Sequence, residues 1–152
     1  MCRRLLLGCV LLCAAVLAAP AAASAVPATT AADAEQQMHN AINAARAEHG
    51  LRALRSRGGL VRSSRTYARQ MIARNRWGHA SSPRVKGFGP VAEILGQARP
   101  GTDPGAVVRA WLASPVHRRI ILGSRYSNAG VGTAAGRLGG KRTQVWVVRF
   151  AR

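Results

Sequence analysis

Residues Thr143–Ala151 read TQVWVVRFA. In an extended chain successive side chains point to opposite faces. Val145, Val147 and Arg149 therefore face one way, and Trp146, Val148 and Phe150 the other. Upstream, SNAGVGTAAG (127–136) is also extended in character, and the Gly-rich segment AAGRLGGKR (134–142) reads as the turn that joins the two into a hairpin. A third short apolar run, VAEILGQ (91–97), reads as another strand.

The rest of the ordered chain has helical spacing. In DAEQQMHNAINAARAEHG (33–50), Met38, Ile42 and Ala45 fall at i, i+4 and i+7. Asp33 is the expected N-cap, Glu35 suits the positive end of the helix dipole, and Gly50 suits the position just past the end. Leu51 and Leu54 are expected to fold back on this helix, and Gly58-Gly59 to break the chain. A second helix is predicted over Leu60–Asn75, with Leu60, Tyr67 and Met71 inward and Arg62, Arg65, Arg69 and Arg76 sharing one solvated face. WGHASSPRVKGFGP (77–90) has no period and reads as a loop. Asp103 and Pro104 start a third helix, and Ser114 and Pro115 repeat that signal for a short fourth one, SPVHRRIIL. The order helix, helix, strand, helix, helix, strand, strand predicts an α+β domain with helices packed on an antiparallel sheet.

The first 25 residues are read apart from that domain. Arg3 and Arg4 precede an apolar run from Leu5 to Ala19, and Ala23-Ser24-Ala25 offers the small residues of a signal-peptidase site. The expected organisation is a signal peptide at 1–25, a linker at 26–32 and a domain at 33–152. Cys2, Cys9 and Cys13 all lie in the signal, so the mature chain has no thiol chemistry and no Cys-ligated zinc. Without Arg3 and Arg4 the 23 basic residues become 21, which against 5 acids leaves a net charge of +16. A GC-rich genome accounts for arginine over lysine but not for the scarcity of acids. The charge points to weak attraction to an anionic cell-envelope component or lipid. No nucleic-acid-binding motif is present, so specific nucleic-acid binding is not expected.

Few residues carry chemistry. His39 and His49 read as surface or flank residues of the first helix. His79 follows Trp77-Gly78, Glu93 sits between Ala92 and Ile94 in a strand, and His117 follows the Ser-Pro step of the fourth helix. An acid in such a frame needs a partner. By spacing alone, a buried hydrogen-bonded cluster is the default over a metal site, since no local motif such as H-E-x-x-H is present.

INAARAEHGLRAL, WGHASS, AEIL, AWLASPVHRRIIL, AGVGTA and VWVVRFA occur in that order. Together they resemble the CAP superfamily of SCP-like extracellular proteins in its short bacterial form, over nearly all of the chain from Met38 on. The resemblance implies secretion, an α-β-α sandwich with a small antiparallel sheet between helices, and a shallow cavity lined by histidines and acids. It places His79, Glu93 and His117 at that cavity, with His117 held by the Ser114 cap and Pro115, and Trp111 behind it. The family's second cavity acid has no carboxylate counterpart; Ser114 stands near that place.

Three functions are compatible with this pattern. The first is a non-enzymatic, monomeric binding module for a lipid or anionic ligand, with no catalytic residues. The second is a metal-dependent hydrolase, in which His79, Glu93 and His117 form a His2Glu set for a divalent metal such as zinc. The third is a purely structural extracellular domain. The hydrolase lacks a spare carboxylate to act as base, which favours the first.

Overall fold

A computed structural model describes residues 30–152; the predicted signal peptide and residues 26–29 of the linker lie outside the described residues. The chain runs α1 (Ala31–Glu48), β1 (Arg55–Ser56), α2 (Gly58–Ala73), β2 (Ala92–Ala98), α3 (Pro104–Ala113), α4 (Pro115–Ile121), β3 (Asn128–Leu138) and β4 (Lys141–Ala151). The sheet order is β1-β3-β4-β2. β3 pairs antiparallel with β4 and β2 pairs antiparallel with β4. The sheet is not wholly antiparallel as expected, because β1 adds a parallel edge beside β3. Two exposed residues with no periodicity give no sequence signal for β1.

The alternation along β4 sorts the core into two layers. Trp146, Val148 and Phe150 pack with Met38 and Ile42 of α1, Val107, Val108 and Trp111 of α3 and Ile121 of α4. Val145 and Val147 pack with Ala68 and Met71 of α2. The sheet thus lies between α2 on one side and α1, α3 and α4 on the other. The hairpin turn is tighter than the predicted nine-residue segment. Only Gly139 and Gly140 form it, at φ 57° and 78°, values that suit glycine.

α2 sits on β3 almost without clearance. A Cβ at Gly132 would lie 2.1 Å from the Arg65 backbone nitrogen, and one at Gly130 2.3 Å from the Leu60 and Val61 backbone. Only glycine permits that approach. Gly58 and Gly59 do not break the chain here; they form the first turn of α2.

Helix ends explain other departures. Thr30, not Asp33, is the N-cap of α1: the Asp33 N–H donates to Thr30 Oγ1 (3.1 Å) and the Thr30 N–H to Asp33 Oδ2 (3.0 Å). This capping box draws Ala31 and Ala32 out of the expected linker and into the helix. At the other end, Gly50 N–H donates to Ala47 O and Leu51 N–H to Arg46 O, a Schellman closure with Gly50 at φ 67°. α2 closes the same way around Asn75 at φ 48°.

Glu35 is not a free dipole partner. It is buried, accepts from Arg65 Nε (3.0 Å) and from the Thr133 N–H (3.2 Å), and forms an ion pair with Arg65 Nη2. Arg65 therefore leaves the solvated stripe, while Arg62, Arg69 and Arg76 remain exposed.

Candidate functional site

The register of β2 against β4 sets Glu93 directly opposite Arg149. Both point to the α2 side, where their side chains are only 3% and 6% exposed. Arg149 Nε and Nη2 donate to Glu93 Oε2 at 3.1 and 2.9 Å. Its Nη1 donates to Ser63 Oγ on α2, and the guanidinium stands 5.3 Å from the centre of the Tyr67 ring. A buried carboxylate is thus neutralised across the sheet and anchored to the helix above it.

The other carboxylate oxygen holds the loop after α2. His79 Nδ1 lies 3.1 Å from Glu93 Oε1, and the Ala80 N–H donates to the same oxygen at 3.1 Å. Tyr67 Oη donates to Gly78 O at 2.8 Å, so residues 78–80 are pinned at consecutive positions. An ionised carboxylate can only accept, so the His79 Nδ1 is the donor. The His79 side chain is 59% exposed.

His117 approaches from α4, which packs against β2. Burial pushes its pKa down, and the nearby His79 charge adds to this. Ser114 starts α4 at φ −92°, ψ 121°, but its hydroxyl makes no capping hydrogen bond. Pro115 at the first helical position and the bond from the Arg118 N–H to Ser114 O (2.8 Å) fix the helix start instead. The Trp111 indole lies on the face of the sheet away from Glu93, packed over Gly96, with Nε1 donating to Leu95 O at 2.9 Å.

A cleft of about 300 Å³ opens beside His79, lined also by Tyr67, Gln70, Arg74, Arg76 and Trp77. A second of about 400 Å³ continues along α2 past Arg62 and Thr66 to Arg149, sharing Tyr67 and Gln70. Among the described residues no acid lines either. Trp77 and Val116, close in sequence to His79 and His117, are exposed large apolar side chains.

The residues do not fit a divalent metal. Among the described residues no three His, Cys, Asp or Glu side chains gather as a metal site. In addition, four N–H groups fill both oxygens of Glu93, and one of their sources is already a cation.

Three side chains that the sequence pattern does not single out are buried. His39, expected at the surface or flank of the helix, is 8% exposed with Nε2 3.1 Å from Leu54 O. Arg46 is 1% exposed and has no carboxylate partner among the described residues. It donates to Arg52 O (3.0 Å), Ile121 O (2.6 Å), Gly123 O (3.1 Å) and Tyr126 O (3.4 Å), tying α1 to the end of α4. Arg149 is the third. His49 stays exposed; its Nε2 accepts from Arg118 (2.9 Å), a second link to α4.

Burial also lowers the pKa of His39, against the opposing bond to Leu54. Unfolded, both depressed histidines titrate near ~6.5. Below that pH the unfolded chain takes up protons that the folded chain resists. Stability is therefore full above about pH 6.5 and is lost as pH falls toward the lowered folded values. Urea midpoints should drop from about pH 7.5 to about pH 5, and His39→Gln should flatten that drop. A midpoint that rises toward acid pH would contradict the burial of both rings.

The family model described as the cysteine-rich secretory protein family, CAP, matches residues 39–150. The chain belongs to this family. It is a CAP domain without cysteine after residue 13. The protein YkwD of Bacillus subtilis is 32% identical over 127 residues, covering 75% of this chain and 49% of YkwD, so the chain spans about half the length of that relative. Among solved structures, an outer surface protein of Borrelia burgdorferi aligns with TM-score 0.63 at 19% identity, covering 79% of this chain and 92% of that one. An extracellular SCP-domain protein of Bacillus anthracis aligns at 0.61 and 22%, covering 78% and 40%. Venom allergen-like protein 4 of Schistosoma mansoni aligns at 0.64 and 11%, covering 78% and 88%. At these identities the structures show the α-β-α fold alone.

Proposed function

We propose that this CAP domain is a secreted, non-enzymatic binding module that takes an anionic group, as on a lipid or an envelope polymer, into the clefts along α2. The observation that carries this reading is the distribution of charge. Glu35 and Glu93 are buried against arginines, Asp33 is taken up in the capping box of α1, and Asp103 caps α3. The cleft beside His79 is left with Arg74, Arg76 and an exposed Trp77, and no acid among the described residues. A guanidinium pair and an imidazole suit phosphate or carboxylate, and the indole suits an adjoining apolar portion. Export is part of the proposal, with cleavage after Ala25. The extracellular and outer-surface proteins that share the fold are consistent with it. No described helix is long and apolar enough to cross a membrane.

A hydrolase built on a His2Glu metal finds no support, because Arg149 holds the carboxylate that would be a ligand. The exported protein should begin at Val26 by N-terminal sequencing. It should bind anionic phospholipid vesicles or polyphosphate with an affinity that falls roughly tenfold or more between about 50 and about 300 mM salt. Replacing Arg74 and Arg76 together by alanine should weaken binding without changing the melting temperature. Binding indifferent to salt and to both arginines would refute the proposal.

A further inference from the structure

We infer that the cleft between α1 and β1 receives an extended, uncharged peptide segment, which pairs through its main chain with Ser56 at the open edge of the sheet. This cleft shares no lining residue with the clefts along α2 and takes a different class of ligand.

β1 is the outermost strand on its side of the sheet. The Arg55 N–H donates to Ser127 O (2.9 Å) and the Arg57 N–H to Ala129 O (3.0 Å), so both face β3. Main-chain groups alternate in direction along an extended strand, so the N–H and C=O of Ser56 face away from β3, as do those of Leu54. At Leu54 side chains of α1 close the edge. The Leu54 N–H donates to Asn43 Oδ1 (2.8 Å), and its C=O accepts from Asn43 Nδ2 (3.1 Å) and His39 Nε2 (3.1 Å). The Asn43 amide thus stands where the peptide group of a neighbouring strand would. At Ser56 this cover stops. Among the described residues neither of its main-chain groups has a hydrogen-bond partner, and the residue is exposed. An added peptide strand pairs with an edge of this kind.

Ser56 lines a cleft of about 220 Å³, smaller than the roughly 300–1,000 Å³ of a small-molecule site and suited to a short stretch of chain. Val61 and Val131 give it an apolar lining for one side chain of that chain. Glu35 and Arg65, the charged residues there, are paired with each other. His39, whose pKa burial lowers, adds no charge at neutral pH. Nothing in the cleft therefore selects an ion, whereas a donor and an acceptor at one strand position match the C=O and N–H of a peptide.

The test is titration of the exported protein with an acetylated, amidated Thr-Val-Thr-Val-Thr peptide, followed by amide NMR. The Ser56 amide should shift while those of Arg74 and Arg76 stay in place. The affinity should be the same at low and high salt, unlike that for polyphosphate. Methylating the peptide nitrogens, which removes their donors, should weaken binding roughly tenfold. Ser56→Pro removes an N–H that faces away from β3, a place where an edge strand tolerates proline. It should keep the melting temperature and weaken peptide binding by a similar factor. If Ser56→Pro does not fold, the methylated peptide on wild type decides. No shift of the Ser56 amide at millimolar peptide would overturn the inference, and so would full binding of the methylated peptide. An uncharged oligosaccharide that shifts Ser56 where the peptide does not would also overturn it, assigning the cleft to sugar.

Discussion

Replacing Glu93 by alanine is expected to lower the stability of the domain by about 3–5 kcal/mol, the cost of leaving a buried charge without its partner. Arg149 would keep Ser63 and the Tyr67 ring, but neither carries a negative charge. The loss also reaches the loop after α2, because the same carboxylate holds His79 Nδ1 and the Ala80 N–H. Urea unfolding should show the lowered midpoint, and hydrogen exchange should show Ala80 losing protection. A Glu93→Ala variant within about 1 kcal/mol of wild type would mean that water reaches and solvates the guanidinium.

Arg46→Ala is expected to cost about 4 kcal/mol, combining orphaned buried carbonyls with a cavity in the shape of the side chain. The guanidinium satisfies four carbonyls, two of them just beyond the end of α4 or at its last residue, where the helix dipole favours a cation. Burial pushes its pKa down, yet an arginine stays charged where a lysine would not. Arg46→Lys should therefore recover less than half of the loss, since a single ammonium cannot serve a fan of carbonyls spread over residues 52, 121, 123 and 126. Because α4 carries His117, the Arg46→Ala variant should also shift the His117 ring resonances. A chain that tolerates alanine at 46 would show that α4 is held by its apolar side chains alone.

The strands and longer helices are legible in the sequence because their apolar spacing is strong. The alternation of VWVVRFA sorts both cores correctly, and Asp103-Pro104 marks the start of α3 as expected. The site is legible in part: the structure brings His79 to Glu93 and His117 near His79, while Trp111 belongs to the far face of the sheet. Arg149 escapes a reading by motif, although it is the charged residue in a stretch that is otherwise apolar and Glu93 holds the matching place in β2. Two such residues in two buried strands are an invitation to pair them. Glu35, His39, Ile42 and Arg46 also fall at i, i+4, i+7 and i+11, one helical stripe that is buried throughout. Polar residues at that spacing look solvated, and in a chain with 23 basic residues one more arginine offers no contrast. The Ser114 hydroxyl is not needed as a cap because the Ser-Pro step can start a helix through proline alone.

Neutralisation of Glu93 from within by Arg149 is the feature on which the site depends, and a double-mutant cycle measures it directly. Unfolding free energies of wild type, Glu93→Gln, Arg149→Met and the double variant, taken in metal-free buffer, yield their coupling. The expected result is a favourable coupling of about 2 kcal/mol or more, with the double variant more stable than the sum of the single losses implies. A coupling near zero would mean that the two side chains do not share a charge, and that Glu93 is available to a ligand or metal from outside.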